Sequence, residues 1–169
     1  MANRLLVVVV GILALGLSAL GQSKPSIQGV WRPVEVTITN PNPPPAGLGK
    51  GTHTNLQPGL LIVTGKHFSA IYDTAGKPRP TTPFKVPVKP TPEEMQTSWG
   101  PFTANAGTYE LSGTTLTTRP IVAKNPVFQG KGVNRSTIKL DGQNLWITGL
   151  ENADGKIANP STIKFVRVE

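Results

Sequence analysis

Apolar residues alternate with polar or small residues along most of the chain after residue 29, and a period of two is typical of β-strands. Val34, Val36 and Ile38 show this alternation, with Pro33 as a kink or an edge position. Runs of the same kind predict eight strands, at residues 30–39, 59–63, 66–73, 107–111, 115–122, 134–140, 144–150 and 162–168.

Short turn sequences separate several of these strands. Thr64-Gly65, Ser112-Gly113 and Asp141-Gly142 each stand between two β-rich runs, and Asp-Gly favours the tight turns of hairpins. Mostly consecutive antiparallel strands predict an all-β fold, an eight-stranded up-and-down barrel, because closure leaves no unpaired strand edge. A β-sandwich is the alternative, although the short sequential hairpins disfavour its Greek-key crossings.

Two proline-rich segments and one helix interrupt the strand pattern. Residues 40–58 carry closely spaced prolines and glycines, which predict a long loop. Residues 74–90 combine prolines with basic residues, which predict an extended, basic segment. Thr91 and Glu94 then form a capping box, which predicts one short helix over residues 92–99 that caps the barrel.

The composition excludes several classes of protein. The chain has 169 residues and no cysteine, which excludes a disulfide scaffold, a thiolate metal site and a cysteine nucleophile. With 18 glycines and 17 prolines it does not fit a helical bundle. Its hydrophobic content of 37% is enough to build a core, and its length fits one domain.

Residues 1–21 have the pattern of a secretory signal peptide. Arg4 precedes an uncharged apolar run at residues 5–20, and Ala19 and Gly21 are small residues at the −3 and −1 positions of a cleavage site. We therefore expect an extracytoplasmic protein, periplasmic or secreted, with a single domain at residues 22–169. The alternative, an uncleaved membrane anchor, is disfavoured because spanning a bilayer takes about 20 apolar residues.

The chain keeps a net charge of +7 after loss of this segment, since only Arg4 is removed from the +8 of the whole sequence. For an exported protein, nucleic acid is a poor candidate as partner, and an anionic envelope surface is one interpretation of this charge. The lysines are spread along the chain, which favours the other interpretation, that the charge serves solubility.

Gly29-Val30-Trp31 opens the first predicted strand, and Arg167 lies near the end of the last one. This pair resembles the lipocalin and wider calycin pattern, and residues 58–72 and 106–109 are similar to a bacterial lipocalin-like domain family. The resemblance implies that Arg167 stacks on Trp31 to close the floor of the barrel, with Gly29 beside them. A guanidinium over an indole contributes about 0.5–2 kcal/mol.

No pattern for catalysis is present in the sequence. His53 and His67 lack the third ligand that a zinc site needs, and Glu93 and Glu94 are explained by helix capping. The sequence contains no Gly-x-Ser-x-Gly motif, phosphate loop or dinucleotide fingerprint. We therefore expect no catalytic residue, no metal and no cofactor.

Aromatic and apolar side chains are the remaining candidates for a site. They either fill a solid core or line a ligand cavity under a lid. Arg119 is included because a cation in the cavity suits a carboxylate ligand. The candidate ligand-binding residues are Phe68, Tyr72, Trp99, Phe102, Tyr109, Arg119 and Trp146.

The leading hypothesis is an exported, monomeric, lipocalin-like barrel that binds a small hydrophobic or amphipathic molecule without altering it. A second hypothesis is a cyclase or isomerase that uses the barrel cavity, with Tyr72, Tyr109 and Glu110 as first candidates. A third is an envelope interaction module whose working part is the basic proline-rich segment, through Lys77, Arg79, Lys85 and Lys89.

Overall fold

A computed structural model describes residues 26–39, 48–73, 75–78, 85–86, 89–130 and 132–169. The predicted signal peptide at residues 1–21 lies outside the described residues, as do Arg79 and most prolines of the two proline-rich segments. Within the described ranges, no helix is both long and apolar enough to cross a membrane.

Eight strands form a closed antiparallel barrel, which confirms the predicted fold class. They are β1 (Gly29–Ile38), β3 (Gly59–Val63), β4 (His67–Asp73), β5 (Phe102–Ser112), β6 (Thr115–Ala123), β7 (Asn134–Asp141), β8 (Asn144–Asn152) and β10 (Thr162–Arg167). Each of these strands is hydrogen-bonded to the next one in that order, and β10 closes the barrel by pairing with both β8 and β1. Two short strands, β2 (Gly51–His53) and β9 (Gly155–Lys156), pair with β1 and β8.

The largest difference from the predicted strands is the start of β5. It begins at Phe102, and its residues 102–108 pair with the whole of β4, from Asp73 opposite Phe102 to His67 opposite Thr108. Residues 102–106 include an asparagine and two alanines, which have low β propensity, so pairing with β4 holds this part extended.

A bulge between β5 and β6 lies just beyond this extension. The register shifts between Ala106 and Gly107, and Gly107 stands opposite Pro120. A Cβ atom at Gly107 would lie 2.1 Å from the carbonyl oxygen of Arg119, so only glycine allows the two backbones to approach this closely. The bulge also accommodates a proline inside a barrel strand.

The helix α1 (Pro92–Trp99) has the predicted bounds and the predicted capping box. The Glu94 amide donates to the Thr91 hydroxyl at 3.2 Å, and the Thr91 amide donates to the Glu94 carboxylate at 2.8 Å. These bonds and the backbone amide of Lys85, 3.0 Å from the same carboxylate, lower the pKa of Glu94. The capping box satisfies free donors of the first turn, which explains how so short a helix forms.

The two ends of the barrel differ in their connections. The short β3–β4, β5–β6 and β7–β8 hairpins lie at one end, where β1 starts and β10 finishes. The longer connections, including α1, lie at the other end. The buried cluster gathers towards the hairpin end and contains Ile27, Trp31, Leu61, Val63, Leu116, Ile138, Leu145 and Phe165.

Candidate functional site

The floor of the barrel is built by Ile27, Trp31 and Arg167. The Trp31 side chain is fully buried, and its indole Nε1 donates a hydrogen bond to the Ile27 carbonyl at 2.8 Å. The guanidinium carbon of Arg167 lies 4.1 Å from the centre of the indole ring. Arg167 also donates to the carbonyls of Gln28 and Ser26, the latter at 2.7 Å. The chain before β1 is therefore held across the hairpin end of the barrel.

Gly29 leaves the space that this arrangement needs. Its φ angle is +137°, a value that residues with a side chain rarely adopt. A Cβ atom there would lie 2.3 Å from a guanidinium nitrogen of Arg167 and 2.4 Å from the Glu169 carbonyl oxygen. The Gly-x-Trp sequence thus combines a close backbone approach with the buried indole.

Above the floor, the barrel encloses a cavity of about 270 Å³. Seven of the eight barrel strands contribute to its lining, because alternate residues of each strand point inward. Phe68, Ala70 and Tyr72 of β4 illustrate this period of two. The wall nearest the floor is apolar and includes Leu61, Val63, Phe68, Leu116, Ile138 and Leu145.

Away from the floor the lining combines polar side chains with apolar ones, which include Phe128 and Ile157. Tyr72 and Glu151 each lie one residue before the end of their strands, and Asn134 is the first residue of β7. Thr118 of β6 stands opposite Asn134 in the register. We call the polar side chains of this part of the lining the mouth; they are Tyr72, Asn105, Thr118, Asn134, Ser136, Glu151 and Asn152.

The two tyrosines of the cavity differ in how their hydroxyls are used. The Tyr109 hydroxyl donates to the Thr64 carbonyl at 2.8 Å, in the β3–β4 hairpin near the floor. No hydrogen-bond partner of the Tyr72 hydroxyl is found among the described residues. Burial raises the pKa of both phenols, so each stays protonated well above neutral pH.

One ion pair stands at the mouth. Arg135 Nη1 lies 2.5 Å from Glu151 Oε2, and the two residues are paired across β7 and β8 beside a register shift. Glu151 lines the cavity, whereas Arg135 lies between the cavity-lining Asn134 and Ser136 and is exposed. Because the two residues are register partners, the Glu151 carboxylate meets Arg135 at the solvent-exposed rim of the barrel, where its charge is already partnered.

Of the seven predicted ligand-binding residues, Phe68, Tyr72 and Tyr109 line the cavity, and the other four do not. Arg119 follows the inward Thr118 and faces solvent, where it forms an ion pair of 3.2 Å with Glu110. Trp146 lies between the inward Leu145 and Ile147, so its side chain is on the outer face of the barrel.

The outer face holds Trp146 between two lysines. The Nζ atoms of Lys139 and Lys164 are 5.0 and 5.3 Å from the centre of the indole ring. All three residues are aligned across β7, β8 and β10. Trp146 is thus a surface cation–π site and not a wall of the cavity.

Trp99 and Phe102 also lie outside the cavity. Their rings meet edge to face with centroids 6.2 Å apart, and they line a hollow on the outer face together with Ile71 and Val122. Lys124 donates to the carbonyls of Trp99 and Gly100, and partial burial lowers its pKa. The end of the helix is therefore fastened to the outside of β4–β6.

Sequence reasoning missed the polar residues of the mouth other than Tyr72. The alternation of Asn134, Ser136 and Ile138 within one predicted strand contains the signal, since Ile138 is apolar and inward and its period-two neighbours share its face. Asn105 precedes the predicted start of its strand, so no periodicity marked it. Glu151 directly follows the predicted end of β8.

The described residues contain no group of three or more histidine, aspartate and glutamate side chains that could hold a metal ion. His53 has its ring nitrogen Nε2 2.8 Å from the Gly49 carbonyl, and His67 is exposed at the start of β4. The two histidines thus lie in separate surroundings.

A closed eight-stranded antiparallel barrel with one short helix fits a calycin-like fold. No protein-family model matches the chain. A search of curated proteins finds no significant relative in sequence. The arguments for function therefore rest on the barrel and its cavity.

Proposed function

We propose that this protein is a lipocalin-like carrier that binds a small apolar or amphipathic molecule in the barrel cavity. The observation that carries the proposal is the cavity itself, which has an apolar wall near the floor and a polar mouth. Burial of apolar surface contributes about 25 cal/mol per Å², so such a wall favours an apolar ligand group. The stacking of Arg167 on Trp31 supports the lipocalin-like assignment.

The size of the cavity indicates a small ligand. At about 270 Å³ it is slightly smaller than the roughly 300–1,000 Å³ that is common for ligand sites. A compound with one aromatic ring or a short alkyl chain suits this volume better than a long lipid does.

The carrier proposal is favoured over a cyclase or isomerase by the position of the candidate carboxylate. Glu110 lies on the outer face with Arg119, away from the cavity that contains Tyr72. The Tyr109 hydroxyl is bonded to a backbone carbonyl. The three residues that the enzyme hypothesis relied on therefore do not converge on one point.

A cavity-filling variant tests the carrier proposal. Ethylbenzene, a neutral apolar probe, should bind saturably to the purified protein in isothermal titration calorimetry. Ala70→Phe places a ring inside the cavity and should abolish binding, whereas Ala104→Phe on the outer face of the neighbouring strand should retain it. Thermal unfolding of both variants checks their folding. Failure of the unmodified protein to bind any small apolar probe would refute the proposal.

The proposal includes export, on the strength of the signal-peptide pattern at residues 1–21. Expression of the full chain in a bacterium, followed by fractionation and mass spectrometry, should yield a protein outside the cytoplasm that begins at Gln22. Recovery of the uncleaved chain in the cytoplasm would contradict this part alone and would leave the binding proposal intact.

A further inference from the structure

Charged side chains are nearly absent from the lining of the cavity in the part of the chain that the structure describes. Among the described residues that line it there is no lysine, arginine or histidine, and the one carboxylate is Glu151. That carboxylate is already paired with Arg135 at 2.5 Å. The interior therefore offers no positive group to a ligand, although the whole chain carries a net charge of +8.

The mouth nevertheless offers several neutral hydrogen-bonding groups. The side chains of Tyr72, Asn105, Thr118, Asn134 and Ser136 line it, and none of them has a side-chain hydrogen bond within the described part of the chain. The phenol and the hydroxyls can each donate and accept, and the two amides supply both donors and acceptors. Such a set matches one uncharged polar group at the end of an apolar ligand.

We infer that the ligand has an uncharged hydrogen-bonding group, a hydroxyl, carbonyl or amide, that lies at the mouth while its apolar part occupies the barrel. This inference rests on the proposed function and specifies the class of ligand. The Tyr72 hydroxyl is assigned as a principal contact, because it lines the cavity and has no partner among the described residues.

Ligands with a charged end are disfavoured for two different reasons. A carboxylate inside the barrel would lose its hydration, and the described lining contains no cation to replace it. An ammonium group would also lose its hydration, and the one carboxylate among the described lining residues, that of Glu151, is already paired with Arg135. An uncharged group avoids both costs.

A matched series of four probes tests the inference, since its members share a phenyl ring and a two-carbon chain. They are ethylbenzene, 2-phenylethanol, phenylacetate and phenethylammonium, titrated into the purified protein at neutral pH by calorimetry. We expect 2-phenylethanol to bind at least about tenfold more tightly than either charged probe. If ethylbenzene binds but a charged probe equals 2-phenylethanol, the inference is wrong and the proposed function stands. If no probe binds, both fail.

Two variants identify the contact. Tyr72→Phe should weaken 2-phenylethanol by roughly threefold to tenfold and leave ethylbenzene unchanged, because a single hydrogen bond is lost. Ser69→Ala, which removes a hydroxyl from the outer face of the same strand, should change neither affinity. A third variant, Glu151→Gln, should strengthen the binding of phenylacetate, since it removes a negative charge at the rim and leaves Arg135 without its partner. Equal loss of both neutral probes in Tyr72→Phe would instead indicate a packing role and would overturn the assignment.

Discussion

Arg167 of β10 lies directly over the indole of Trp31 of β1, and the two residues are also register partners in the ladder that closes the barrel. The guanidinium packs on the face of the indole ring, and the indole Nε1 donates to the Ile27 carbonyl. One contact therefore joins the start of the first strand, the end of the last strand and the segment before the first strand. This arrangement leads to three stability predictions.

Trp31→Ala should be strongly destabilising. The side chain is fully buried, and truncation of a large buried side chain leaves a cavity that costs about 3–5 kcal/mol. Trp146→Ala is the matched control, because Trp146 is on the outer face between two lysines and should cost far less. Urea unfolding of both variants gives the comparison. Equal losses would show that Trp31 is not a main support of the floor.

Arg167→Lys should cost on the order of 1 kcal/mol, because lysine keeps the charge but loses the planar surface that stacks on the ring. In the double variant with Trp31→Ala the two losses should not add, since residues in contact share an interaction energy. A double-mutant cycle from urea unfolding measures this coupling. Additive losses within error would mean that the stacking contributes no stability.

Gly29→Ala should destabilise the floor by a route that does not involve lost packing. The φ angle of +137° is unfavourable for alanine, and the new Cβ would collide with Arg167 and the Glu169 carbonyl. Backbone strain alone costs about 1–3 kcal/mol. Gly65→Ala is the control, because nothing lies within 4 Å of the Cβ position there. A melting temperature unchanged in Gly29→Ala would contradict this account of the Gly-x-Trp sequence.

The raised pKa values of the two tyrosines predict a loss of stability at alkaline pH. Burial raises the pKa of Tyr72 and Tyr109 above the ordinary value of 10.0, so the unfolded chain releases these protons first. The contribution of the two protonated phenols to the free energy of unfolding is complete below pH 10.0. It is lost as the pH rises through the higher pKa that each phenol has in the folded protein. Each tyrosine adds a slope of up to about 1.4 kcal/mol per pH unit, so Tyr72→Phe should flatten the decline.

Ultraviolet titration provides an independent measurement of the same effect. The chain has only these two tyrosines, so tyrosinate absorbance should appear above pH 10.0 in the folded protein and near it in denaturant. Identical titration curves in the two conditions would show that neither phenol is desolvated in the barrel.

The amino-acid sequence by itself determined the elements of this protein where local chemistry was decisive. Thr91 and Glu94 are three residues apart, so the capping box and the start of the helix follow from their spacing. Period-two alternation and short turn sequences located the eight strands. The floor was indicated by Gly-x-Trp at one end of the chain and an arginine at the other, through the family resemblance.

Only the tertiary structure decided which face of each strand is inside. Alternation states that Leu145 and Trp146 point in opposite directions, but both are apolar, so the sequence does not say which one faces the barrel axis. Whether Arg119 faces the cavity or solvent depends on the same choice of face, and the bulge at Gly107 changes the register nearby. Asn105 belongs to a strand because β4 and β6 pair with it on either side, through Ala70 and Ala123. Local residues determine where a strand lies in the sequence. Which face of the strand points inward is decided by closure of the barrel, which joins residues far apart in the chain.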